Sequence, residues 1–122
     1  MNQRGGHRRI HAPRQTADDV LAADVARFAA AENDPLWRMP LWQPYMTMLD
    51  SKIADINNAG ASPFAGSITA ALFLSRFVPE AIPWLHADIF AWNPSTKPGR
   101  PEGGEAQAIR ALFAWLTDRY PA

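Results

Sequence analysis

Apolar residues recur at helical spacing in three stretches of the chain, and each stretch is bounded by residues that cap or break helices. In residues 16–32, Leu21, Val25 and Phe28 form one apolar stripe, which Asp34-Pro35 ends. Residues 105–119 carry a similar stripe. Residues 63–77 leave little polar face, so we expect the helix there to be buried. The pattern therefore predicts three helices.

Two short apolar runs lie on either side of the middle helix. "KIADINN" predicts a short strand at residues 53–57, and "WLHADIFAW" predicts a second strand over residues 84–92. With residues 63–77 as the crossover, these strands would form a βαβ unit and would run parallel, so the predicted fold class is α/β. We expect residues 34–44 to be irregular because they contain three prolines, residues 45–51 to form a short helix, and residues 93–104 to form a loop.

Two parallel strands do not make a complete sheet. Parallel sheets are normally covered on both faces and contain more strands. We therefore expect a βαβ unit with flanking helices that is one end of a larger α/β sheet. Open strand edges invite pairing with another chain, so we also expect self-association and low solubility of the isolated chain.

Charge divides the chain unevenly although its net charge is zero. Residues 1–15 carry four arginines and no acid, and the remainder holds eight basic and twelve acidic residues. We interpret residues 1–15 as a basic, disordered arm, because they lack an apolar pattern. The arm has no aromatic residue to stack on bases, so we predict neither a nucleic-acid partner nor a membrane partner. The absence of cysteine and of a secretory signal favours the cytoplasm.

Several motifs in order give the chain a family resemblance. "DPLWRMPLW", "DSKIADINN", "GSITAALFLSRFV", "PWLHADI" and "AWNPSTKPGRPEGG" resemble the C-terminal end of the M17 leucyl (cytosol) aminopeptidases over residues 16–122. The resemblance implies a mixed sheet flanked by helices, a hexameric assembly, and removal of N-terminal residues from peptides. It also implies two divalent metals, manganese or zinc, which would polarise the scissile carbonyl and generate a hydroxide nucleophile.

The functional residues of that family transfer to this sequence only in small part. The family's metal ligands are a lysine and several carboxylates. Three functional positions of the family lie in a motif close to N-T-D-A-E-G-R. The motif and the other ligands all lie upstream of the segment that matches this chain. We therefore assign no catalytic residue, metal ligand or cofactor to this chain. The resemblance does imply that Phe90, Ala91 and Trp92 line the pocket for the first side chain of the substrate. The alternative is that Phe90 and Trp92 pack in the core.

Three further groups have simpler structural interpretations. His86 and Asp88 share one side of a predicted strand, but a catalytic zinc needs three protein ligands, so we expect both to be buried and hydrogen-bonded. We expect Lys52 and Asp55 to be structural or surface residues. "KPGRPEGG" does not match a phosphate-binding loop, so we expect Arg100 and its glycines to shape the connection to the last helix.

Two hypotheses follow for the whole chain. The first is that it is a C-terminal fragment of a two-metal leucyl aminopeptidase, inactive alone, whose peptide substrate binds only in the full-length context. The second is a short non-enzymatic interaction module that associates with itself or with a full-length paralogue through exposed edges and apolar surface.

Overall fold

A computed structural model describes residues 8–11, 16–60 and 62–122. Within these ranges the helices are α1 (Thr16–Ala31), α2 (Gly66–Ser75) and α3 (Ile109–Arg119), with a 3-10 helix over Gln43–Leu49. The strands are β1 (Arg8–His11), β2 (Leu36–Met39), β3 (His86–Asp88), β4 (Trp92–Asn93) and β5 (Gly103–Gly104). None of the helices in these ranges combines the length and apolar character needed to cross a membrane.

The three predicted helices are confirmed, and local backbone geometry explains their ends. After α1, Asn33 is left-handed with φ 48°, and the amides of Asn33 and Asp34 donate to the carbonyls of Ala30 and Ala29. These paired bonds form a Schellman motif, which stops the helix. Ala65 and Ala108 are also left-handed and precede α2 and α3. Both helices therefore begin later than the apolar pattern predicts.

The larger sheet is mixed and has β1 at its centre. β1 pairs in parallel with β2 and antiparallel with β3. Because α1 connects β1 to β2, these three elements form a βαβ unit. The predicted α/β class with a βαβ unit and a mixed sheet is therefore confirmed, but different strands build the unit.

The strand predicted at residues 53–57 is wrong. The chain bends there, because the Ser51 hydroxyl accepts hydrogen bonds from the amides of Ile53 and Ala54. Ile53 is 96% exposed, so its apolar side chain does not mark a buried strand. The pairing predicted between residues 53–57 and 84–90 is wrong for the same reason, and β3 pairs with β1 instead.

Three other predictions need smaller corrections. Residues 36–39 form β2 inside the segment that was expected to be irregular. The strand predicted over residues 84–92 is limited to β3, and β4 turns away to pair with β5. Residues 8–11 of the expected disordered arm form β1, while residues 1–7 and 12–15 lie outside the described residues. The short helix predicted at 45–51 corresponds to the 3-10 helix.

The apolar interior is divided between the two sides of β2. On one side α1 packs against α3, and on the other α2 packs against the 3-10 helix. Successive strand residues point to opposite faces, so Arg38 pairs with Asp19 of α1 whereas Met39 packs in the second core. The α1–α3 core buries Ala22, Val25, Ala29, Ala108 and Ala111. The second core, around α2, buries Leu49, Ile68 and Leu72, with Met39, Leu41, Met46, Ile56 and Phe73 packed against it.

A buried carboxylate joins the end of α1 to the start of α3. Asp34 is fully buried, and its Oδ1 and Oδ2 accept hydrogen bonds from the amides of Ala108 (3.2 Å) and Ala111 (3.3 Å). The Arg110 guanidinium lies 3.6 Å from Oδ1. A carboxylate at this position satisfies amides that the first turn of a helix leaves free and complements the helix dipole. Asp34 therefore fixes where α3 begins.

Candidate substrate-binding segment

The candidate substrate-binding residues lie together on the surface, between the end of β3 and the start of β4. Phe90 is 73% exposed and Trp92 is 49% exposed. Neither aromatic ring is therefore buried in a core of the described chain. Their role in binding a substrate side chain stays a prediction.

Backbone contacts with the last loop hold this segment in place. Trp92 pairs with Gly104, and Asn93 pairs with Gly103, in a two-stranded antiparallel ladder. The amide of Glu105 donates to the carbonyl of Ala91 over 2.9 Å. Ala91 itself is left-handed, with φ 48°. A non-glycine residue in this region persists only where its surroundings define it, as the flanking bonds do here.

Asn93 closes the loop that follows, a role that was not predicted from the sequence. Its side chain is 1% exposed, and Nδ2 donates to the carbonyls of Arg100 (2.9 Å) and Pro101 (2.8 Å). Asn-Pro marks a turn in the sequence, but it does not reveal a partner seven or eight residues away. The Oδ1 atom is buried and accepts no hydrogen bond from the described residues.

Arg100 and the glycines also shape the loop, as predicted. The Arg100 guanidinium pairs with Glu105, and the backbone groups of Arg100 and Lys97 bond to each other. Gly103 has φ 130°, a conformation that side chains rarely adopt. The loop is thus tied to both β4 and the approach to α3, and through Ala91 it restrains the candidate substrate-binding segment.

A cleft lies elsewhere, between α2 and residues 58–60, 62 and 63. Its volume is about 480 Å³, and Gly66, Ala70, Phe73 and Leu74 of α2 form one wall. Phe90, Ala91 and Trp92 are not part of its lining. The exposed segment 90–92 and this cleft are therefore separate surfaces.

The other polar residues singled out from the sequence are not assembled into a site. His86 is only half-buried, although it has an interaction partner, and Asp88 is exposed, so the prediction that both are buried is wrong. The reason is that β3 is a short edge strand rather than the interior of a sheet. Lys52 and Asp55 are both exposed, as expected of surface residues.

The described residues do not fit a two-metal centre. Across residues 8–11, 16–60 and 62–122, no group of three or more His, Asp or Glu side chains is arranged to hold a metal ion. A catalytic metal needs several converging protein ligands and groups that orient them. No metal-dependent step can be assigned to these residues.

Comparison with known proteins identifies the family. Residues 8–113 match the model of the cytosol aminopeptidase family, catalytic domain. The chain is 42% identical over 106 residues to a probable cytosol aminopeptidase of Synechococcus sp. (strain WH7803), which covers 85% of this chain and 21% of that protein. It is 43% identical over 104 residues to a probable cytosol aminopeptidase of Roseiflexus castenholzii, and the match covers 83% of this chain and 21% of that protein.

Solved structures agree with the sequence comparisons. The chain superposes on cytosol aminopeptidase from Coxiella burnetii with a TM-score of 0.85 and 47% identity, over 93% of this chain and 24% of that one. It also superposes on the bottromycin maturation enzyme BotP with a TM-score of 0.80 and 30% identity, over 93% of this chain and 25% of that one. The chain thus spans about a quarter or less of the length of the relatives it matches. It belongs to the cytosol aminopeptidase family and corresponds to part of that family's catalytic domain.

Proposed function

We propose that this chain forms the C-terminal part of a leucyl aminopeptidase catalytic domain, which releases N-terminal amino acids from peptides. The observation that carries the proposal is the match of residues 8–113 to the family's catalytic domain, together with the superposition on a cytosol aminopeptidase over 93% of this chain. The names of the relatives also support a cytoplasmic location.

Within that domain, the contribution of this chain is to shape the substrate pocket. Phe90 is exposed and directly precedes Ala91, whose backbone is held by Glu105. An exposed aromatic ring on a restrained backbone is suited to contact an apolar substrate side chain, because little ordering is required on binding. Substrate binding then takes place only when the remainder of the domain is present.

The metals are contributed from outside the described residues. One of the structural relatives, BotP, is described in complex with manganese. By the chemistry of the family, two divalent metals would supply Lewis-acid activation of the peptide carbonyl. The carboxylates that hold them would have to come from other parts of a catalytic domain, since the described residues of this chain do not converge on a metal position.

The proposal is tested by assaying the purified chain with leucine p-nitroanilide in the presence of manganese, zinc or cobalt. We expect no hydrolysis, whereas cytosol aminopeptidase from Coxiella burnetii, assayed in parallel, is the positive control. Metal-dependent turnover by this chain that is lost in the variants His86→Ala or Asp88→Asn would overturn the proposal. That result would place a catalytic centre on β3.

A further inference from the structure

Helix α2 is apolar on the side that packs in the core and on the side that does not. It contains no charged residue. The Thr69 hydroxyl donates to the carbonyls of Ala65 and Gly66, and the Ser75 hydroxyl donates to the carbonyl of Leu72, so both are satisfied by nearby backbone. Its core side buries Ile68, Ala71 and Leu72. A helix that is apolar all round is characteristic of a buried position.

The outer face of α2 is nevertheless exposed in this chain. We use this term for Gly66, Ala70 and Leu74, which are spaced four residues apart and so lie on one side of the helix. Leu74 is 41% exposed, and Phe77 just beyond the helix is 65% exposed. The outer face borders the cleft of about 480 Å³. The exposed surface is therefore concave as well as apolar, as interaction surfaces often are.

Gly66 gives an independent indication that something approaches this face. It does not adopt a left-handed conformation, and a Cβ added to it would meet no atom within 4 Å. Neither backbone geometry nor packing within the described chain requires glycine at this first position of α2. The open space and the missing side chain at Gly66 leave room for a second backbone to approach α2 closely at this point.

We propose that the outer face of α2 is the surface against which the remaining part of the aminopeptidase catalytic domain packs, whether that part is joined to this chain or separate. This inference rests on the proposed function. The fold of this chain is retained over 93% of its length within a solved enzyme chain of which it represents 24%. The remaining three quarters of such a polypeptide are thus the partner, and its contacting surface is apolar.

The test is co-expression of this chain, carrying an affinity tag, with Coxiella burnetii cytosol aminopeptidase from which the segment matched by this chain has been deleted. We expect the two polypeptides to purify together in equal amounts. In titrations, Ala70→Glu should weaken the complex by about a hundredfold or more, because it places a charge in an apolar interface. Ala26→Glu on the exposed side of α1 is the matched control and should leave affinity unchanged.

Gly66→Leu provides a second variant that does not depend on charge. The space around Gly66 is open in this chain, so the variant should keep the melting temperature of the isolated chain. It should weaken the complex by about tenfold or more if a second backbone approaches there. Equal binding by the wild type, Ala70→Glu and Gly66→Leu would overturn the inference, as would failure to co-purify.

Two further outcomes separate this inference from the proposed function. If the isolated chain is a dimer that Ala70→Glu converts to a monomer, the outer face binds a second copy and the inference is wrong. If the complex forms and depends on Ala70 and Gly66 but does not hydrolyse leucine p-nitroanilide with added manganese, the inference stands and the proposed function fails. Hydrolysis by the complex alone supports both.

Discussion

The two cores of this chain are closed in different ways. Between α1 and α3, small side chains allow close packing, and the fully buried Asp34 satisfies the first amides of α3. Around α2, larger side chains pack on one side only, and the opposite side remains apolar and exposed. Within the described residues a buried polar link thus joins α1 to α3, although Ile109 and Phe113 of α3 are exposed, whereas the outer face of α2 has no such link. A helix that is buried on one face can still have a further packing partner when its other face is apolar too.

The largest expected effect tests whether the two faces of α2 differ. Leu72 is fully buried, so Leu72→Ala should lower the free energy of unfolding by about 2–5 kcal/mol. Leu74→Ala, two residues away and 41% exposed, is the matched control and should cost less than about 1 kcal/mol in the isolated chain. Urea unfolding followed by circular dichroism measures both. Equal losses would show that the outer face is already covered.

The next effect tests the polar link in the α1–α3 core. Asp34→Ala leaves the amides of Ala108 and Ala111 without acceptors, and we expect a loss of about 2–3 kcal/mol in the free energy of unfolding. Asp34→Asn keeps the shape and one acceptor oxygen but removes the charge, so its loss should be smaller. The same urea titration compares them. A loss below about 0.5 kcal/mol for Asp34→Ala would show that small-residue packing alone holds α3.

An intermediate effect is expected at the loop that restrains the candidate substrate-binding segment. Asn93→Ala removes the two hydrogen bonds to Arg100 and Pro101, and we expect a local loss of about 1–2 kcal/mol. Hydrogen exchange at the Glu105 amide, which donates to Ala91, reports this opening. Asn93→Asp retains the size but has no Nδ2 donors, so it should accelerate exchange at least as much. Unchanged exchange in both variants would mean that the β4–β5 pairing suffices.

The smallest effect concerns the contact that joins β2 to α1 at the surface. Arg38 and Asp19 form an ion pair, but their side chains are 46% and 60% exposed. Water and salt weaken such a pair, so Arg38→Ala should change the free energy of unfolding by less than about 1 kcal/mol. Thermal melts at low and high salt measure it. A larger loss of unfolding free energy that does not depend on salt would show that the aliphatic part of the Arg38 side chain packs against α1.

The helices were predictable because their signals are local. Apolar stripes at helical spacing located α1 and α3, and the uniformly apolar sequence located α2. Their first residues were less predictable. Ala65 and Ala108 are left-handed, and the amide of Ala108 is held by the distant Asp34. The resemblance of the quoted motifs identified the family without requiring any of these details.

Strand pairing was not predictable, because it depends on residues far apart in the sequence. Ile53, Ala54 and Ile56 form a short apolar run. Nothing local distinguishes a short strand from the turn that the Ser51 hydroxyl stabilises there. β1 lies in an arginine-rich segment whose composition favours disorder, yet it pairs with both β2 and β3. The role of Asn93 in holding the loop was hidden for the same reason.

The most direct test of the difference between the two cores is amide hydrogen exchange, measured on this chain alone and in the complex with the remaining part of the catalytic domain. Exchange reports local opening element by element. We predict that amides of α2 (Gly66–Ser75) exchange about tenfold or more slowly in the complex, while those of α1 and α3 change much less. Equal slowing of all three helices, or no change in α2, would contradict the inference that the remaining part of the catalytic domain packs on the outer face of α2.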